Sequence, residues 1–215
     1  ESPVWVSENE IWYQFVDPEG EDSSIRVATP QSGLADSQEV MASGSGLVLK
    51  KIPSTNNVAY YLPPSVGVPS AVYSVNCSGD KKLVVSKSTA LEASWSSRGD
   101  LLVFSRLNDG LLELLAASQD GSNPAKLARS TFVDKIGFTN GSEGLYAAVP
   151  KRIPNFTKYQ QAGVGKEDDL YYLSRDGATA ELVTDFSGFS ERIDARDLFL
   201  SQNGKLLYFI NSYND

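Results

Sequence analysis

The sequence predicts an all-β fold, a β-propeller of four-stranded antiparallel blades, on three observations. Short apolar runs alternate with polar turns, and no segment sustains a helical period. One hairpin pattern recurs along the chain. Its repeat unit holds four strands in roughly 40 to 55 residues, the spacing of propeller blades. A β-sandwich also has many short strands, but it does not require repeated pairs of hairpins.

The first hairpin pattern is an apolar strand, a polar turn and a second apolar strand. It occurs at Leu47–Tyr61 (LVLKKIPSTNNVAYY), Ala93–Ser105 (ASWSSRGDLLVFS), Ile136–Ala148 (IGFTNGSEGLYAA) and Leu198–Ile210 (LFLSQNGKLLYFI). Ser96-Ser97-Arg98-Gly99 aligns with Ser201-Gln202-Asn203-Gly204, and Thr139-Asn140-Gly141 takes the same place in the third copy. Gly and Asn tolerate the positive φ of tight turns. The first copy carries no turn glycine.

A second pattern follows each of the first three: Ala71–Val85 (AVYSVNCSGDKKLVV), Leu112–Leu127 (LELLAASQDGSNPAKL) and Leu170–Val183 (LYYLSRDGATAELV), with Gly79, Gly121 and Gly177 in equivalent turns. A fourth copy spans Ile11–Thr29, with Gly20 in its turn. The expected organisation is one domain over residues 1–215, with blades near 46–88, 90–130 and 132–187. Residues 1–30 read as the later strands of a unit and 189–215 as its first two. A composite blade from the two ends would close a four-bladed ring and leave no open sheet edge. The rival is a piece of a larger ring.

WSSRGDLLVFSRLNDGLLELLAASQDGSNPAKLAR, from Trp95 to Arg129, resembles the repeat of TolB-like β-propellers, as does Ser201–Phe209. In that repeat an aromatic-Ser-x-x-Gly turn joins two strands, and the next strand ends in Asp-Gly-Ser. This chain has Ser97-Arg98 where the repeat has Pro-Asp before the turn glycine. The resemblance implies a scaffold without catalytic residues, whose partners dock on one face of the ring or on its loops.

Composition narrows the function classes. The net charge is −8, which excludes a general nucleic-acid binder, since phosphate binding needs clustered Lys and Arg. There is no histidine, so His-based triads and imidazole metal sites are excluded. The single cysteine, Cys77, forms no intrachain disulfide and anchors no Cys-rich zinc site. No apolar stretch approaches a membrane span. The chain starts at Glu1 without Met, as expected of a processed form, an excised domain or a partial chain, and a periplasmic or extracellular location is expected.

The longest insertion, Pro150–Asp169 (PKRIPNFTKYQQAGVGKEDD), combines basic and aromatic residues. Long loops in compact domains carry function, and Arg and Tyr are common anchors of protein interfaces. Lys151, Arg152, Phe156, Lys158 and Tyr159 are therefore the expected partner-binding residues. Gly163-Val164-Gly165-Lys166 lacks the length and the following Ser/Thr of a phosphate loop. Arg98-Gly99-Asp100 has the form of an adhesive tripeptide, but its place in a repeated turn explains Gly99 by backbone need alone.

The acidic runs Asp17–Asp22 and Glu167-Asp168-Asp169 lack EF-hand spacing. Asn76-Cys77-Ser78, Asn140-Gly141-Ser142 and Asn155-Phe156-Thr157 fit the glycosylation pattern. No Gly-x-Ser-x-Gly elbow occurs. The expected function is a non-catalytic protein-binding or assembly module with no cofactor and no metal. The alternatives are a gating propeller cut from a prolyl-oligopeptidase-type hydrolase and a self-assembling subunit of a surface structure.

Overall fold

The computed structural model describes residues 3–19, 22–31, 36–152 and 167–213. The chain divides into two compact units, Glu1–Pro63 with Ser70–Lys87, and Pro64–Pro69 with Ser88–Asp215. The sequence reads as one domain over residues 1–215. Repeats that touch only their neighbours readily separate into such groups.

In the first unit β1 (Val4–Ser7), β2 (Glu10–Val16), β3 (Ser23–Ala28) and β4 (Gln38–Ala42) form an antiparallel sheet in chain order. Next come β5 (Val48–Lys51), β6 (Val58–Tyr61), β7 (Ser70–Val75) and the start of β8 (Lys81–Trp95), again in chain order. Trp12, Ile25, Val58, Tyr60 and Val75 form the core of this unit, with Val40 and Met41 packed against it.

The N-terminal strands gain their fourth partner from β4, with Ile25 opposite Met41 and Ser24 opposite Ala42. The stretch QSGLADSQEVMASGS (31–45) is polar and rich in Ser, and only Val40 and Met41 mark a strand in it. Packing on Trp12 decides the matter where local propensity does not.

The second unit begins within β8. At Ala90 the strand takes a left-handed residue (φ 53), and its pairing with the next strand shifts between Thr89 and Glu92. β8, β9 (Leu101–Asn108), β10 (Leu111–Ser118) and β11 (Ala125–Lys126) follow in order. β9 and β10 join through Asp109 and Gly110, both at positive φ, as a two-residue type I′ turn requires. A second sheet contains β12 (Ile136–Phe138), β13 (Gly144–Pro150), β14 (Asp168–Ser174) and β15 (Ala180–Thr184). A two-stranded sheet, β16 (Ala195–Leu200) and β17 (Leu207–Asn211), follows.

Leu101, Val103 and Leu114 pack against Ile136, Leu145, Ala147 and Leu173 of the next sheet. Each Leu, Ile or Val side chain here contributes about 1.5–3 kcal/mol on full burial. Strands covered on both faces lose their in-out alternation, and for that reason β9 reads as a continuous apolar run.

The repeated turns share one device. Ser96, Thr139, Ser174 and Ser201 each open a turn, and each carbonyl accepts the N–H of the residue three places on. Each hydroxyl accepts the N–H five places on, from Leu101, Gly144, Thr179 and Leu206. The fourth turn residue lies at positive φ: Gly99, Gly177 and Gly204 at 76°, 77° and 70°. In the Thr139 turn that residue is Ser142 (φ 58), so the sequence alignment on Gly141 is one position early. Ser is strained there at a modest cost of about 1–2 kcal/mol.

These turns also link neighbouring sheets of the second unit. The Arg98 guanidinium donates to the Gly141 carbonyl, and the Asn140 amide to the carbonyls of Ser201 and Gln202. The Asp100 carboxylate accepts from the Ser96 hydroxyl and from Arg175. Arg98-Gly99-Asp100 is therefore an inter-sheet clamp, with its acid already partnered. Between β12 and β16 the backbones approach closely: a Cβ on Gly137 would meet the Leu198 carbonyl oxygen at 2.8 Å.

Candidate docking site

β13 ends and β14 begins as a locked pair. Pro150 lies opposite Asp168, Val149 opposite Asp169, and the Lys151 N–H donates to the Glu167 carbonyl at 2.9 Å. The chain therefore leaves the sheet at Lys151 and rejoins it at Glu167. Beside that point is a recess of about 250 Å³ lined by Lys151, Glu167, Asp168, Phe186, Phe189 and Arg192, among others.

The lip of the recess carries alternating charge. Lys151 Nζ is 3.5 Å from Asp169 Oδ1 and 3.9 Å from Glu167 Oε2, while Arg192 Nε is 3.1 Å from Glu167 Oε1. Lys151 and Arg192 thus partly neutralise the acidic run Glu167–Asp169. Phe189 is 57% exposed at this lip and meets Phe186 edge to face, with ring centroids 5.4 Å apart.

Under the recess is a buried ion network. Lys135, in the 3₁₀ turn Val133–Lys135, donates from Nζ to Asp168 Oδ2 at 2.7 Å, to Asp194 Oδ1 and to the Ala195 carbonyl. The Ala195 N–H donates to the same Asp168 oxygen at 2.8 Å. Arg196 pairs with Asp194 and with Asp134. The side chains of Lys135, Asp168 and Asp194 are all fully buried. Burial lifts the Asp168 carboxyl to about 6, against the opposing pull of Lys135 and the Ala195 N–H. Asp168 Oδ1 has no hydrogen-bond partner. The network fixes the start of β14 to the start of β16, and so fixes the recess floor.

Lys151 and Arg152 are exposed, and Lys151 lines the recess. Phe156, Lys158 and Tyr159 lie outside the described residues, as do Gly163–Lys166, Asn155 and Gly20. Asp168 is committed to Lys135, and Lys151 sits beside Glu167 and Asp169. Among the described residues no group of three or more acidic, His or Cys side chains is arranged to hold a metal ion. The Asn140 amide nitrogen, the atom that a glycan would modify, is engaged with the turn at Ser201–Gln202. The Asn76 side chain closes its own turn through Ser78 and Asp80.

Sequence reasoning missed Phe189, Arg192, Lys135 and Asp194. Phe189 and Arg192 sit in a Ser-rich connection (DFSGFSERID) with no periodicity to mark it. A second hollow, about 410 Å³, has a floor of Ala116, Ala117 and Ala125 and a rim that includes Glu143 and Arg175. Arg175 is already bound to Asp100 there, and the hollow presents no exposed aromatic.

No protein-family model matches the sequence, and no curated protein matches it. Solved structures do match. TolB from Acinetobacter baumannii is 14% identical, with a TM-score of 0.61 over 96% of this chain and 48% of its own. Prolyl oligopeptidase B from Galerina marginata is 10% identical, with a TM-score of 0.64 over 99% of this chain and 30% of its own. The β-propeller domain of the Trilobed protease from Pyrococcus furiosus is 11% identical, with a TM-score of 0.57 over 91% of this chain and 58% of its own. The chain thus spans about half the length of that TolB. At such identities the likeness concerns the fold. Repeated antiparallel blades, shared turn chemistry and these neighbours together give the chain the TolB-like β-propeller fold.

Proposed function

We propose that this chain is a non-catalytic propeller module that docks another protein at the recess beside β13 and β14. The observation that carries this reading is the combination of the exposed Phe189 with the charged lip of Lys151, Glu167 and Arg192 over a floor pinned by buried ions. An aromatic anchor ringed by polar groups is the usual form of a protein-binding hot spot. Of the other expected partner residues, Arg152 is exposed next to Lys151. The likeness to TolB supports a place outside the cytoplasm, periplasmic or extracellular. No helix among the described residues is long and apolar enough to cross a membrane.

The test is differential capture. Wild type is compared with a Lys151→Ala/Arg152→Ala/Phe189→Ala variant of equal thermal stability, as bait in extract of the source cells. The docking role predicts a stoichiometric partner retained by wild type and lost by the variant. Equal retention by both removes this site from the proposal.

A gating propeller of a prolyl-oligopeptidase-type enzyme is the second reading. It rests on the match to Prolyl oligopeptidase B over 99% of this chain. A parent polypeptide that includes an α/β-hydrolase domain with its nucleophile elbow would favour it.

A further inference from the structure

The strands β5–β7 and the start of β8 carry charge opposite in sign to the rest of the chain. Residues 43–91 hold five lysines, Lys50, Lys51, Lys81, Lys82 and Lys87, and a single acid, Asp80. Residues 1–42 hold nine acids and one base, Arg26, and the whole chain carries −8. All five lysines are exposed. In the second unit cations sit against carboxylates: Arg106 and Lys126 on Glu113, Lys135 on Asp168 and Lys151 on Asp169. Lys50, Lys51 and Lys87 have no acidic partner among the described residues. Asp80 accepts from the Asn76 amide at 3.0 Å across its own turn.

Strand register gathers four of these lysines at one end of the sheet. Lys51 lies opposite Val58, and Val58 opposite Val75. The Asn76 N–H donates to the Asp80 carbonyl, and this turn returns the chain at Lys81, the first residue of β8. Lys50, Lys51, Lys81 and Lys82 therefore share the end that holds the turn. β5 and β8 lie three strand spacings apart, about 14 Å. Between them Tyr73 stacks on Tyr60 with centroids 5.6 Å apart, and Lys81 Nζ rests 4.4 Å from the Tyr73 centroid. Leu49 is opposite Tyr60, and Tyr60 opposite Tyr73, so Lys51, two residues on from Leu49, lies on the tyrosine face.

We infer that this end of the sheet binds an extended acidic segment of a partner protein. The span from β5 to β8 matches about four residues of extended chain. A lysine ammonium meets a carboxylate as a point charge on a flexible stem. Residues 43–91 contain no arginine, so the surface lacks the bidentate fork suited to phosphate. A membrane or a nucleic acid also meets the whole chain, whose charge of −8 repels it. A short segment lies within about one Debye length of the lysines, roughly 8–10 Å, and feels them first. The lysines belong to the first unit and the recess to the second, so the inference does not rest on docking at the recess.

Fluorescence anisotropy of the whole chain with a labelled peptide of core Glu-Asp-Glu-Asp-Glu tests this. Its neutral counterpart, with Gln and Asn, serves as the control peptide. The acidic peptide should bind at about 0.05 M salt and weaken as salt rises, and the neutral one should not bind. Lys51→Gln/Lys81→Gln should weaken binding about tenfold or more, whereas Arg129→Gln/Lys205→Gln, with the same change in net charge, should leave it within about twofold. The Lys151→Ala/Arg152→Ala/Phe189→Ala chain should bind the peptide as wild type does, which separates this surface from the recess. Carbodiimide coupling of the bound peptide should place its amide links on Lys50, Lys51, Lys81 or Lys82, a readout that a fold defect cannot imitate. Equal binding of both peptides, equal loss in both double variants, or links confined to other lysines overturns the inference. So does tighter binding of phosphatidylglycerol vesicles or duplex DNA than of the peptide. Self-association of the chain that Lys51→Gln/Lys81→Gln abolishes assigns the surface to a second copy and also overturns it.

Discussion

Replacing Lys135 by Met probes the ion network most sharply. Met keeps the length and apolar stem of Lys and adds no large cavity, so the lost charge dominates the effect. Asp168 Oδ2 then keeps only the Ala195 N–H, and Asp194 keeps its Arg196 partner. Removing one partner of a fully buried pair costs about 3–5 kcal/mol, because a carboxylate is left uncompensated. With a urea dependence of about 2 kcal/mol per molar, the unfolding midpoint of the second unit should fall by about 2 M. Tryptophan fluorescence of Trp95 (with Trp5 and Trp12 replaced by Phe) reads that unit. The loss should shrink at pH 5, where a protonated Asp168 needs no cation. A midpoint shift below about 0.5 M at pH 7 would refute the view that Lys135 compensates buried charge.

Further outcomes follow from the same geometry. Asp168 has a raised folded pKa, so the stability it contributes is complete below its ordinary value of 3.8 and is lost as pH rises through about 6. Asp168→Asn should therefore flatten the fall in urea midpoint between pH 4 and pH 7. Gly137→Ala should destabilise by about 1–3 kcal/mol in the same titration, since its Cβ has no room beside the Leu198 carbonyl. Arg175→Ala should cost less than about 1 kcal/mol, because the Arg175–Asp100 pair is about two-fifths exposed at both side chains. A synthetic Arg-Gly-Asp receptor ectodomain should not bind the folded chain, since Asp100 is held by Ser96 and Arg175.

The blades were legible in the sequence because their turns are chemically strict. A Ser or Thr whose hydroxyl closes the turn, followed by a residue at positive φ, leaves a readable spacing of Ser-x-x-Gly. The slip at Gly141 shows the limit: Asn140-Gly141-Ser142 offers two candidates, and only the backbone decides for Ser142. β4 was hidden because a strand that contributes two apolar residues to a neighbour's core carries no pattern of its own. The insertion at 150–169 could be singled out as unexplained length, and that drew attention to Lys151 and Arg152. Phe189, Arg192 and the Lys135 network were illegible, because they come together only when β14 and β16 are laid side by side. An isolated Lys in VDKIGF does not announce the two carboxylates, 33 and 59 residues away, that surround it.

Site-specific photocrosslinking tests the docking account most directly. A photoreactive phenylalanine is placed at Phe189, and in a control chain at Leu111, which is 70% exposed at the β9–β10 turn. The account predicts that irradiation in source-cell extract joins one discrete protein to the chain labelled at 189, and that Lys151→Ala reduces its yield. No product from position 189, or the same product in equal yield from position 111, would contradict it.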